Sequence, residues 1–244
     1  VDAQAGLGLF GRVDELRAVA GFLEQAIGGA GRLVVVAGEP GIRKTRLCEE
    51  AGSLARARGA GVAWVACWEP SAVGSFWVWR DLLAQMGASA VEPAAGREPP
   101  DVARERFSDR VARVVRSAAL ERPWLLVVDD AQWADAGTLR LLLYLAPLLR
   151  TMPVLMVAAL RDSDRAASSP SPLTAELARH ASIVRLQGLT AGDVGHLVEQ
   201  VTGARPAAGV SASLHNGTGG NPLFVAELAH WLHREAAATV HRRF

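Results

Sequence analysis

One octapeptide restricts the fold of this chain more than any other feature: Gly38-Glu39-Pro40-Gly41-Ile42-Arg43-Lys44-Thr45, set between the apolar run 33–37 and a helical stretch over 44–58. In a strand–loop–helix of this kind, successive backbone N–H groups and the N-terminus of the following helix can wrap a polyphosphate. The lysine of such a loop reaches the β- and γ-phosphate oxygens, and the hydroxyl after it reaches Mg²⁺. Lys44 and Thr45 occupy those two places, and Arg46 follows them in the first helical turn. A glycine-rich strand-to-helix turn with no ligand is the plainer alternative, and the Lys-Thr pair argues against it.

The remaining pattern supports a sheet of the kind such a loop needs. Residues 62–67, 124–128 and 154–158 are short, continuous apolar runs, as expected of strands covered by helices on both faces, and 183–186 is a candidate fifth strand. Helical stretches over 77–86, 101–120 and 135–150 alternate with them, and Phe107, Val111, Val114, Val115 and Ala118 share one stripe. The alternation predicts an α/β fold of P-loop NTPase type, with a doubly wound, mainly parallel sheet. After about residue 188 the strand signal stops. Thr190 and Asp193 read as a capping box, and Asn221-Pro222 as an N-cap followed by proline at the first helical position. Leu223, Phe224, Leu228 and Trp231 then recur at helical spacing. The expected division is a core over 1–188 and a small helical lid over 189–244, with that lid truncated. Loops are expected at 87–100 and 162–172, which are rich in Ala, Gly, Pro and Ser.

A second element agrees with the phosphate loop. The apolar run at 125–128 ends in Asp129 and Asp130. Asp129 is the candidate for the Mg²⁺ side, and Asp130 can orient or deprotonate an attacking water; capping and solvation at a strand end would also account for both acids. Arg161 follows the fourth expected strand, so a parallel sheet brings it to the same carboxyl edge as the loop, where it can sense a γ-phosphate or remain a solvated arginine.

Composition removes several other classes. Lys and Arg total 26 against 25 Asp and Glu, which gives no basic excess, so direct nucleic-acid contact is not expected. Two cysteines, Cys48 and Cys67, are too few for a disulfide framework, and no histidine has a partner at metal-ligand spacing. The longest apolar runs, 141–149 and 152–160, fall short of the roughly 18–20 residues that span a bilayer. No secretion signal is visible, so a cytoplasmic location is expected. Val1 is not an initiator methionine, and the chain is expected to be a piece of a longer protein. The tryptophans at 64, 68, 77 and 79 read as packing around the second strand, and Arg104, Arg106, Arg110, Arg113 and Arg116 as a solvated helix face.

With these motifs in hand, the chain resembles the AAA-like ATPase module of STAND signalling proteins, in particular the large ATP-binding LuxR-type regulators related to MalT. Four stretches carry the resemblance: Phe10-Gly11-Arg12-Val13-Asp14-Glu15-Leu16, the loop with its Arg46-Leu47 extension, Asp129-Asp130-Ala131-Gln132-Trp133-Ala134-Asp135, and Gly220-Asn221-Pro222-Leu223-Phe224. The resemblance implies that the backbone around Gly11 and Arg12 lies against the adenine, that Pro222 touches it from the lid, and that Arg161 reads the γ-phosphate. It implies ATP and ADP as ligands with Mg²⁺, sensor and DNA-binding domains outside this chain, and nucleotide-dependent self-association. Arg43 departs from the pattern, which has glycine before the lysine. A left-handed non-glycine residue costs on the order of 1–2 kcal/mol, and a side chain crowds the phosphate while its guanidinium can partly offset that by pairing. The expectation is weakened ATP binding with slow or absent hydrolysis; a degenerate ATPase serving as an interaction scaffold and a P-loop small-molecule kinase are the competing readings.

Overall fold

The computed structural model describes residues 11–68, 76–88, 100–161 and 172–241. Among them the order is α1 (Val13–Ile27), β1 (Arg32–Gly38), α2 (Lys44–Ala57), β2 (Gly61–Ala66), α3 (Trp77–Gln85), α4 (Pro100–Glu121), β3 (Trp124–Asp129), α5 (Ala136–Leu148), β4 (Val154–Arg161), α6 (Pro172–His180), β5 (Ser182–Arg185), α7 (Ala191–Thr202), α8 (Ala208–Thr218) and α9 (Pro222–His241). The five strands form one parallel sheet in the order β2-β3-β4-β1-β5.

The continuous apolar runs are explained by what covers each face. Alternate residues of a strand point to opposite sides, and here both sides are packed. Leu33, Val35, Leu126, Val128, Met156 and Ala158 join the core under α3 to α6, whereas Val34, Val36, Leu125, Val127, Leu155 and Val157 join the core under α1 and α2. Every residue of β3 is buried as a result. The stripe of α4 packs as expected, with Phe107, Val111 and Val115 buried. Trp79 is fully enclosed, Trp64 and Trp77 are partly covered, and Trp68 is half-exposed with its ring 4.5 Å from that of Trp77.

Residues from Leu189 onward pack into a third apolar cluster built on α7, α8 and α9, with Val194, Leu197, Val225 and Ala229 at its centre. The Thr190 hydroxyl accepts from the Asp193 N–H at 3.2 Å and caps α7. Asn221 and Pro222 begin α9 as the capping pattern indicates. The large apolar residues of α9 are not its packed face. Phe224, Leu228 and Trp231 face outward, and the helix buries Val225, Ala226 and Ala229 instead. The small residues between the large ones make the closer interhelical contact.

Three helices have weak or masked sequence signals. α1 is punctuated by Gly28 and Gly29, α6 opens at Pro172, where a loop is expected to end, and α8 is made largely of Ala, Gly and Ser. The expected loops at 87–100 and 162–172 fall mainly outside the described residues.

Candidate functional site

Strand β1 ends at Gly38, and α2 begins at Lys44, so the intervening loop turns at the carboxyl edge of the sheet. Ile42 anchors it, buried in the apolar cluster that includes α1 and α2. Two residues of the loop have positive φ: Gly41 at 77° and Arg43 at 74° with ψ 42°. The arginine therefore adopts the left-handed conformation that glycine provides without strain, and the loop keeps its shape with the wrong residue in it. Lys44 is nearly enclosed, and its Nζ donates to the carbonyls of Gly38 at 2.9 Å and Glu39 at 3.0 Å. Its ammonium is thus folded back across the loop.

The acids meet the loop from β3. The Thr45 hydroxyl donates to Asp129 Oδ2 at 2.7 Å, and Asp129 Oδ1 accepts from the Asp130 N–H at 3.0 Å. Burial raises the Asp129 pKa above the ordinary aspartate value; the Thr45 hydrogen bond opposes that shift. Asp130 itself has φ 50° and stands half-exposed at the start of a 3-10 turn over Ala131–Trp133. Gln132 links it to the neighbouring strand: Nε2 donates to Asp130 Oδ1 at 2.7 Å, and Oε1 accepts from the Arg161 N–H at 3.2 Å. Arg161 is the last residue of β4, in register with Gly38 on β1. Its Nε lies 3.8 Å from Asp130 Oδ1, and its guanidinium carbon is 5.8 Å from the centre of the Trp133 ring.

These groups surround a cavity of about 530 Å³, within the range of small-molecule sites. Pro40, Gly41, Arg43, Lys44, Thr45 and Arg46 form its floor, Asp130 and Arg161 one side, and Leu223 and Ala226 of α9 the other. Glu49 also lines it and pairs with Arg46 at 3.0 Å. Arg43 is half-buried here, and desolvation first, then the charges of Arg46 and Arg12, pulls its pKa down. Gly38, Glu39, Ile42 and Asp129 are not among the residues that line it. Gly11, Arg12 and Pro222 are also outside it: Gly11, at φ 61°, abuts Asp193 and Leu189, and Arg12 is buried with one guanidinium nitrogen on Glu15 Oε1 at 3.1 Å and another on the Gln187 carbonyl.

The C-terminal helical unit and the loop touch directly. Asn221 Nδ2 donates to the Pro40 carbonyl at 2.9 Å, and Asn221 Oδ1 accepts from the Leu223 N–H at 3.1 Å. Gln132, Asn221, Leu223, Ala226 and Glu49 are the site residues to which sequence reasoning gives no ligand-side role. Asn221 is legible only as a helix cap, and its reach to Pro40 spans 181 residues of sequence.

A sequence model described as the AAA ATPase domain matches residues 8–157, more than half of the 244. The chain belongs to the AAA ATPase domain family. It is accordingly a nucleotide-binding ATPase module, and the Lys44, Thr45 and Asp129 cluster lies inside the matched segment. No curated protein matches this AAA ATPase domain. Solved structures do, at the level of the fold. The ORC2 protein of Aeropyrum pernix, solved as ADPNP and ADP complexes, is 16% identical, with a TM-score of 0.58 over 97% of this chain and 64% of that one. A STAND protein with a tetratricopeptide repeat sensor from Pyrococcus horikoshii is 16% identical, with a TM-score of 0.50 over 83% of this chain and 28% of that one. The Drosophila ORC bound to DNA gives 13% identity and a TM-score of 0.61 over 96% and 57%. The domain therefore spans less than two thirds of the length of each of these three. Among the described residues no helix is long and apolar enough to cross a membrane, and no group of three His, Cys, Asp or Glu could hold a metal.

Proposed function

We propose that this domain is the ATP-dependent switch of a STAND-type signalling protein, of the kind found in ATP-binding LuxR-type transcriptional regulators, with hydrolysis slowed or abolished by Arg43. The observation that carries the reading is the single cavity shared by Lys44, Thr45, Asp130 and Arg161 with Leu223 and Ala226 of the helical unit. A ligand there would touch core and lid at once, which is what a switch requires. The donor set suits a magnesium–nucleotide pair: an ammonium held over loop carbonyls, and a hydroxyl–carboxylate pair for a hard cation that completes its shell with phosphate oxygens and water.

In this reading Lys44 would hold the β- and γ-phosphate oxygens, and Thr45 and Asp129 would hold Mg²⁺, which would supply neutralisation of phosphate charge. Asp130 orients or deprotonates the water, kept in place by Gln132, and Arg161 stabilises charge on the γ-phosphate. Gly11, Arg12 and Pro222 would contact the base, with 1–188 acting as core and 189–244 as lid. Sensor and DNA-binding domains beyond this chain, nucleotide-dependent self-association and a cytoplasmic location belong to the same proposal.

A second reading, a degenerate ATPase that serves as an interaction scaffold, is favoured by Arg43 and by the outward-facing Phe224, Leu228 and Trp231. Titration of labelled ATP with Mg²⁺ into the chain and into Arg43→Gly separates the two. The switch reading expects measurable binding that tightens about tenfold, or about 1.4 kcal/mol, in the variant, because no side chain at position 43 would crowd the phosphate. Absence of binding by both folded proteins would favour the scaffold, and equal tight binding would remove Arg43 as an impediment.

A further inference from the structure

The phosphate loop meets the helical unit at the start of α9. Asn221 sits at their junction and is 2% exposed. Its amide uses both ends: Oδ1 caps the first turn of α9 through the Leu223 N–H, and Nδ2 donates to the carbonyl of Pro40. The Asn221 carbonyl also accepts from the Val225 N–H at 3.0 Å. One side chain thus closes a helix end and a loop peptide 181 positions away.

The neighbouring residue shows how close the approach is. A Cβ built on Gly41 would fall 2.7 Å from Leu223 Cβ and 3.1 Å from Asn221 Oδ1. Real side chains do not approach so closely, and φ at Gly41 is already positive. Glycine at this position serves the fit against α9 as much as any fit against phosphate.

We infer that Asn221 is a positioning residue that clamps the Pro40–Gly41 peptide of the phosphate loop to the first turn of α9, so that loop and helix shift together when the cavity fills. It touches no reacting atom. It acts by fixing the peptide that precedes Gly41, Ile42 and Arg43 in the loop. This rests on the nucleotide-switch reading for its purpose, but the clamp itself can be observed without any nucleotide.

The test uses hydrogen exchange on the whole chain, with Asn221→Ser and Asn221→Ala. Serine is a good N-cap but is too short to reach Pro40, whereas alanine loses both bonds. Without nucleotide, Asn221→Ser should speed exchange at the Ile42 N–H, which is bonded to the Glu39 carbonyl, by about fivefold, the worth of one ordinary hydrogen bond. The Leu223 N–H, which donates to Asn221 Oδ1, should stay protected in the serine variant and lose protection in the alanine variant. Unchanged Ile42 exchange in a folded Asn221→Ser would overturn the clamp. Should both variants fail to fold, the unmodified chain still decides: Ile42 and Leu223 amides must open with the same denaturant dependence, and independent opening refutes the proposal. Added Mg-ATP gives the second readout. Affinity should fall about fivefold in Asn221→Ser, and protection of α9 should no longer follow protection of the loop. If no form binds ATP, the switch reading fails while the nucleotide-free exchange still judges the clamp.

Discussion

Arg43 and Asp129 show two ways in which a single residue can oppose the stability of its own fold. Arg43 holds φ 74° at a helix N-terminus where glycine would be relaxed. Replacing it with glycine removes strain of about 1–2 kcal/mol and adds about 0.5–1 kcal/mol of backbone entropy cost. Arg43→Gly should therefore melt at the same temperature or slightly higher by calorimetry, while binding ATP more tightly. Asp129 has a pKa raised by burial above its ordinary value of 3.8. The native state consequently holds this proton more tightly than the unfolded chain does, so ionisation at neutral pH works against folding, and that penalty fades as pH falls towards 3.8. Asp129→Asn should raise the melting temperature at pH 7, with an advantage that shrinks on acidification, and should abolish any hydrolysis. A pH-independent difference would mean that Asp129 is not the buried acid described above. Both residues could be singled out in the sequence because the loop and the strand-end acids have fixed spacing. Gln132 could not: it stands in a quoted motif, but its bridge from Asp130 to Arg161 depends on a strand pairing that no local pattern encodes.

Among the elements, the strands were the most legible. Continuous apolar runs need cover on two faces, and β1, β3 and β4 have it, which leaves little latitude in assigning them. The alternation of strands and helices likewise implied parallel pairing, although the order β2-β3-β4-β1-β5 was not readable from it. In α9 the helical spacing of large apolar residues indicates a helix but not its packed face, which is made by Val225, Ala226 and Ala229. A paired measurement follows. Leu197→Ala, at a fully buried position of α7, should cost about 2–5 kcal/mol in denaturant unfolding. Phe224→Ser and Trp231→Ser, both half-exposed, should each stay within about 0.5 kcal/mol of the parent. A large loss from either serine variant would show that the outer face of α9 is covered in the folded protein.

For the molecule as a whole, the loop, the acids and Arg161 converge because all five strands run the same way and finish at one edge. The helical unit closes over that edge with its own apolar cluster, so a ligand in the shared cavity should stabilise both units together. At a hundredfold excess over its dissociation constant, Mg-ATP should add about 2.7 kcal/mol to unfolding, seen as one cooperative rise in melting temperature rather than a rise in one unit alone. At a fixed ATP concentration, Arg43→Gly should show the larger rise. The left-handed loop has a further consequence in the language of inheritance. Every arginine codon lies one base change from a glycine codon, and here the backbone, the acids and the lid contacts are still arranged for a glycine at position 43. A lineage carrying this chain would be one nucleotide away from a fully glycine-type loop, so the proposed impairment would be a setting that mutation can reverse rather than a decay that it must rebuild.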